Sequence, residues 1–118
     1  MPSDRDTLRR WLNDIRHHIA VARTFVDGMS YEEFSDDLRT TYAVTRCLEI
    51  ISEASRRLPD ELKERHPTIA WKKMAGAGNI YRHDYEDVAA SFVWVVLQDH
   101  LPSLHIVVEQ ELAALAHP

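Results

Sequence analysis

The side chains best suited to chemistry lie between positions 74 and 85, where the sequence reads MAGAGNIYRHDY. Within seven of these residues, Asn79, Tyr81, Arg82, His83 and Tyr85 bring together an amide, a guanidinium, an imidazole and two phenols. Such groups can bind a phosphate, orient it and transfer a proton, since the ordinary pKa of histidine lies near neutrality. A lone histidine beside aromatic rings is also common in purely structural positions, so the surrounding pattern has to decide between these roles.

Two acidic side chains, Glu49 and Glu53, form a second candidate group because residues four apart share one face of a helix. They could coordinate a metal or act as acid and base. Arg46, Arg56 and Arg57 lie on the same segment, however, and we favour ion pairs with them. The other histidines are spaced poorly for ligation, so we predict no structural metal and no cofactor.

Periodic apolar residues predict the helices that must position these groups. A first helix is expected from Ser3 or Asp4 to about Asp27, followed by a stop at Gly28. A capping box at Ser30 starts a short turn, in which Phe34 would enter the core. A second helix is expected over about residues 37–58, with an added turn over residues 60–65. The apolar stripes of the two long helices are Leu8, Leu12, Ile15, Ile19, Ala22 and Val26, and Val44, Leu48, Ile51, Ser55 and Leu58.

The third predicted helix begins near residues 69–71 and carries the 74–85 stretch. Its two glycines, Gly76 and Gly78, are suited to close approach of another backbone or to a local deformation. A fourth helix opens at residue 86 or 87, and Leu101-Pro102 is expected to interrupt it before a new or kinked helix reaches about residue 116. Trp71 and Trp94 are expected in the core. The predicted fold is an all-α up-and-down bundle of four to five helices.

Length and composition fit this architecture, because 118 residues suffice for one domain, residues 1–118, and are too few for two. Apolar residues make up 45% of the chain and charged residues 28%. The single Cys47 excludes an internal disulfide and a cysteine-based zinc site, and is expected to be buried. The sequence contains no uncharged run of membrane-spanning length and no signal-peptide core, so we expect a cytoplasmic protein without a membrane association.

The charge is unevenly distributed along the chain. The formal net charge of −5 argues against general, nonspecific binding of nucleic acid. Residues 46–82 nevertheless contain eight Lys/Arg and five Asp/Glu, whereas residues 83–118 contain six Asp/Glu and no Lys or Arg. A local basic face near His83 is therefore possible, and solvated helix faces with ion pairs explain the same pattern equally well.

The order of these features resembles the HepT-like branch of the HEPN superfamily, over about residues 8–115. The family contains small helical ribonuclease toxins paired with nucleotidyltransferase antitoxins. Its motif is Arg, usually followed by Asn, then His after four to six residues, then Tyr two positions later. The features that carry the resemblance are the segment 48–54, His66-Pro67, Trp71, the segment 76–79, His83-Asp84-Tyr85, Trp94 and the segment 101–104.

The resemblance assigns catalytic roles to Asn79, His83 and Tyr85, which fall in register with the motif. The arginine position is occupied by Gly78, which cannot stabilise charge on a phosphate. Arg82 lies one helical turn further along and is the candidate replacement, although it could equally pair with neighbouring acidic residues.

Lys72 and Lys73 are weaker replacements for the missing arginine. Glu53 belongs to a Glu-Ala pair that recurs in the family, and could orient His83 or a basic group.

The implied function is that of a HepT-like toxin of a type II/VII-like toxin–antitoxin pair. Two copies would meet at a cleft and cut RNA, such as tRNA or mRNA, without metal. An antitoxin of the MNT nucleotidyltransferase type would block the cleft by adding AMP to Tyr85. The alternative is a noncatalytic HEPN dimer that binds nucleotide, RNA or a partner protein, which Gly78 favours. A plain helical dimerisation domain is a third hypothesis.

Overall fold

All regular secondary structure in the described part of the chain is helical. The computed structural model describes the backbone of residues 4–80 and 86–116 and the side chains of residues 4–76 and 90–116. These residues form seven α-helices and one π-helical turn and contain no β-strand. In chain order they are α1 (Asp4–Val26), α2 (Tyr31–Asp36), α3 (Leu38–Arg57), α4 (Asp60–Arg65), α5 (Trp71–Ile80), α6 (Glu86–Val95), the π-turn (Val96–His100) and α7 (Leu101–Ala116). The prediction of an all-α bundle is confirmed.

The core forms where α1 packs against α3 and α7, and where α3 in turn packs against α5. The predicted stripe of α1 is buried from Leu12 to Val26, with Leu8 packed at its edge. The predicted stripe of α3 is buried throughout, and Cys47 lies beside it with a thiol pKa raised by desolvation. Helical periodicity was therefore sufficient to identify the inward faces of both long helices.

The link between α1 and α3 follows the predicted turn chemistry. Gly28 has a φ of +76°, a left-handed conformation that glycine adopts without steric cost. The Ser30 hydroxyl accepts from the amide of Glu33 at 3.1 Å, and the Glu33 carboxylate accepts from the Ser30 amide at 3.1 Å. This capping box starts α2 and directs Phe34 into the core, where it is fully buried.

The tryptophans occupy the structural positions that the sequence predicted. The Trp71 indole N–H lies 3.0 Å from the carbonyl oxygen of His66 and 3.2 Å from that of Lys63, which fixes the start of α5 against the end of α4. Trp94 packs against the rings of Tyr31 and Phe34 on α2. Both indoles border the core, so neither is presented as an open stacking platform.

The predicted new or kinked helix up to about residue 116 corresponds to α7, but the backbone does not leave the helical state at Leu101-Pro102. It continues from α6 into α7 through the π-turn, in which the Leu101 N–H donates to the Val96 carbonyl five residues back. Pro102 follows in the first turn of α7, where a missing N–H is tolerated. The resulting helix Ala90–Ala116 is long and apolar enough to cross a membrane by length and composition alone, as core helices of soluble proteins also are. Its residues Val93, Leu101 and Leu104 are fully buried in the bundle.

Candidate functional site

The helix α5 carries the first part of the predicted motif. Gly78 and Asn79 lie in its last turn, which ends at Ile80. Arg82, His83 and Tyr85 lie in residues 81–85, outside the described residues, as does the side chain of Asn79. What the structure describes is therefore the support beneath the motif: how α5 is held, and which charges are brought to it.

Two side chains of α3 hold α5 by a single backbone atom. The Ser52 hydroxyl donates to the carbonyl oxygen of Ala75 at 2.8 Å, and Nη1 of Arg56 donates to the same oxygen at 2.7 Å. Ser52 is fully buried, whereas the Arg56 side chain keeps 44% of its surface exposed. A helical carbonyl points toward the amide four residues ahead, so both donors lie near the level of Asn79.

Glu53 orients the arginines of α3. It accepts hydrogen bonds from Nη2 of Arg56 and, at 3.0 Å, from Nε of Arg57. Hydrogen bonds from both guanidinium groups hold the pKa of Glu53 below its ordinary value, so this carboxylate is ionised at neutral pH. Arg57 turns away from α5 and lies 5.8 Å from the ring centre of Trp11 on α1. Glu53 thus binds both neighbouring arginines, of which Arg56 reaches α5 and Arg57 reaches α1.

The ion-pair interpretation of the acidic residues on α3 is confirmed. Glu49 lies 3.3 Å from Arg46, and Glu53 is engaged by Arg56 and Arg57. Among the side chains described, no three of His, Cys, Asp or Glu come close enough together to hold a metal ion.

A second charged cluster holds the α4–α5 connection against α7. Glu111 is buried to 9% exposure and accepts from Arg65 Nη2 at 2.7 Å and from Nε at 3.3 Å. His66 Nε2 lies 2.6 Å from Oε2, the carboxylate oxygen that also accepts from Arg65 Nε. An ionised carboxylate only accepts, so this histidine nitrogen carries the proton. Burial raises the pKa of Glu111, but the hydrogen bonds from Arg65 and His66 outweigh it and the net shift is downward.

Gly76, the first glycine of the small-residue segment 75–78, is not in close contact with another part of the described chain. A Cβ added to Gly76 would meet no atom of the described chain within 4 Å. No described backbone of the same chain approaches this glycine, and contact with the backbone of a second copy stays a prediction. Lys72 and Lys73, on the preceding turn of α5, are exposed.

Comparison with known proteins supports the resemblance that the motif indicated. A model of the family described as ribonuclease HepT-like matches residues 15–111. The chain belongs to this family. It is 36% identical over 94 residues to "Probable ribonuclease HepT" of Thermococcus cleftensis, covering 80% of this chain and 86% of that protein. It is 34% identical over 107 residues to a protein of Methanocaldococcus jannaschii named "Putative RNase", covering 91% and 97%. No solved structure gives a significant match to the chain.

Sequence reasoning about this HepT-like chain missed three positions that support α5. Arg56 and Ser52 were not assigned to α5, because their contact with Ala75 joins residues about twenty apart on different helices. Glu111 was also missed, since it interrupts the apolar stripe of α7 with a charge. A carboxylate on the inward face of a helix was the available signal, because a buried charge requires a partner.

Proposed function

We propose that this HepT-like protein is a toxin-type ribonuclease that cuts RNA without a metal ion. The observation that most supports this function is the length of the similarity to relatives named as ribonucleases. The aligned regions cover four fifths or more of this chain and of each relative. In the proposed reaction the 2′-oxygen of RNA attacks the adjacent phosphorus and loses its proton to a base. The 5′-oxygen leaves and is protonated, which produces a 2′,3′-cyclic phosphate.

His83 is the proposed acid and base, and Asn79 and Tyr85 are proposed to orient the phosphate. The protein should cleave total RNA or tRNA in the presence of EDTA and leave 2′,3′-cyclic phosphate or 3′-phosphate ends. His83→Ala should abolish cleavage, whereas His17→Ala should not, because His17 lies exposed on α1. Loss of cleavage on chelation, or equal activity of both variants, would contradict the assignment.

The active site is proposed to form at a cleft between two copies of the chain in the cytoplasm. Support comes from large apolar side chains left exposed on the single chain, including Phe25 on α1 and Leu38 and Tyr42 on α3. A second copy that covered these side chains would remove apolar surface from water. Light scattering after size exclusion should give the mass of a dimer. A monomer at tens of micromolar would exclude a composite site.

An MNT-type nucleotidyltransferase is the proposed antitoxin. The phenol oxygen of Tyr85 would attack the α-phosphate of ATP, release pyrophosphate and carry AMP, whose charge and bulk compete with RNA phosphate. Mass spectrometry should place the AMP group on Tyr85. Tyr85→Phe should remain unmodified, and Tyr42→Phe should be modified normally although Tyr42 is well exposed. AMP found at Tyr42 instead would contradict the proposal.

Gly78 favours a second candidate, a noncatalytic HEPN dimer that binds nucleotide, RNA or a partner protein. In that case wild-type cleavage should be at background, Arg82→Ala should change nothing, and Gly78→Arg should restore some activity. If Arg82 has instead replaced the missing arginine, Arg82→Ala should reduce cleavage about 10²-fold, and Gly78→Arg should add little. The two functions therefore differ in the expected result at both positions.

A further inference from the structure

A guanidinium from α3 reaches α5 close to the position of the missing arginine. Gly78 lies on α5 three residues after Ala75, and residues three apart occupy the same face of a helix. Arg56 reaches that face from α3 and touches the Ala75 carbonyl at 2.7 Å. The guanidinium therefore lies on the face of α5 that carries position 78, and residues three apart on a helix face are about 5–6 Å apart.

We propose that the Arg56 guanidinium is the phosphate-binding cation of the site, supplied from α3 in place of an arginine at position 78. The inference rests on the proposed ribonuclease function, and it assigns to α3 the role that motif reasoning gave to Arg82. The lysines of α5 fit this role less well. Lys73 lies five residues before Gly78, which is about 7.5 Å along the helix axis.

The contacts of Arg56 hold the guanidinium in place and leave it able to act. Nη2 is bound by Glu53 and Nη1 by the Ala75 carbonyl, so the plane of the group is fixed from two sides. Nη1 also lies 3.5 Å from the Ser52 hydroxyl oxygen. A guanidinium has five N–H donors, more than these three contacts occupy. Its 44% exposure allows a phosphate to approach the remaining edge. A preoriented guanidinium needs little rearrangement when charge develops on the nonbridging oxygens.

A structural role for Arg56 makes a different prediction from a phosphate-binding role. As a backbone anchor, Arg56 would act on α5 through its hydrogen bond to Ala75, beside the one from Ser52. Glutamine at position 56 could still donate such a bond, but it carries no charge. Lysine keeps the charge and loses the planar geometry. Comparing Arg56→Gln with Arg56→Lys therefore separates anchoring from charge.

The matched control is Arg57→Gln. Arg57 is the adjacent arginine and shares the Glu53 carboxylate, but it packs over Trp11 on α1. Both substitutions remove one positive charge and one ion pair with the same partner. A loss of net charge or a release of Glu53 would therefore affect both variants, whereas a specific phosphate contact affects Arg56 alone.

The first measurement is cleavage of a short RNA by the full-length variants. Arg56→Gln should lower the cleavage rate about 10²-fold, Arg56→Lys should lower it less, and Arg57→Gln should stay near wild type. Adding Gly78→Arg to Arg56→Gln should recover activity, because it places a guanidinium on the same face of α5. Equal losses in Arg56→Gln and Arg57→Gln, or full activity in Arg56→Gln, would overturn the inference and leave the ribonuclease function standing.

The second measurement does not require cleavage. Binding of an RNA with 2′-O-methyl groups, which block the nucleophile, is followed as a function of salt. One lost phosphate contact lowers the slope of log affinity against log salt by about 0.7 for a single strand. Arg56→Gln should show this decrease and Arg57→Gln should not. If wild type binds with that Arg56-dependent slope and cuts nothing, the inference holds and the ribonuclease function fails. Absence of both binding and cleavage by wild type overturns both.

Discussion

Replacing Glu111 by glutamine tests whether the charged cluster at the α4–α5 connection stabilises the fold. The carboxylate receives Arg65 at 2.7 Å and His66 at 2.6 Å, and its own side chain is only 11% exposed. Glutamine has a similar shape, but it presents an amide donor where one of these two donors needs an acceptor. The change therefore leaves a mismatched polar group in a nearly buried position.

The expected loss of unfolding free energy depends on how well each partner of Glu111 is shielded from water. A hydrogen bond to a charged group stabilises by about 1.5–3 kcal/mol when it is protected from water. The His66 contact is in this class, since the imidazole is only 16% exposed. Arg65 is 53% exposed, so its share falls toward the range of about 0–1 kcal/mol found for surface pairs. Glu111→Gln should lower the free energy of unfolding by about 2–3 kcal/mol, which for a chain of this size lowers Tm by about 8–12 °C.

Urea and thermal unfolding at fixed protein concentration provide the assay, with Glu109→Gln as the control. Glu109 lies on the same helix and reaches Arg16 only at 3.8 Å, with both side chains 46% exposed. Its replacement should change stability by less than about 0.5 kcal/mol. An equal effect of the two variants would refute the proposed contribution of the cluster.

The pH dependence of the Glu111 effect provides a second check on the same reasoning. The folded pKa of Glu111 lies below its ordinary value of 4.5. Its contribution to stability should therefore be complete above pH 4.5 and disappear as the pH falls through the folded pKa. The difference between wild type and Glu111→Gln should shrink accordingly in acid. A difference that stays constant down to pH 3 would show that packing, and not charge, is responsible.

The two described glycines should respond to alanine in opposite directions. Gly28→Ala should destabilise by about 1–2 kcal/mol, because the φ of +76° is strained for any side chain with a Cβ. Gly76→Ala should stabilise the single chain by up to about 1 kcal/mol, since it lies inside α5 and its Cβ would meet no described atom within 4 Å. Urea unfolding of both variants checks these signs. Weaker self-association in Gly76→Ala, measured by light scattering, would place the contact between copies at residues 75–78.

Local interactions made most of the fold predictable from the sequence. The apolar period of 3.6 residues identified the buried faces of α1 and α3, because a helix brings residues three and four apart onto one side. Gly28 and the Ser30 capping box marked their connection for equally local reasons. The HepT-like motif was visible for the same reason, since its spacing from Gly78 to Tyr85 is a property of neighbours in the chain.

The π-turn was not predictable, because proline was expected to end a helix. In the tertiary structure the preceding residues shift by one position in their hydrogen bonding, and Pro102 then falls in a tolerated place. Packing of Val93, Leu101 and Leu104 on the same core is consistent with a helix that continues without a break.

The support of the candidate site was decided by tertiary structure alone. Arg56 appeared in the sequence as one charge among many, with Glu53 nearby as an ion-pair partner, whereas Glu111 lies in a segment, residues 83–118, that contains no Lys or Arg. Only the packing of α3 against α5 and of α7 against the α4–α5 connection selects their contacts, at separations of 19 residues for Arg56–Ala75 and 45 for His66–Glu111. A sequence specifies which side chains can carry charge and donate hydrogen bonds. Which distant backbone atom or carboxylate they reach depends on the helices being brought together by the apolar core, which follows from the whole chain and not from local spacing.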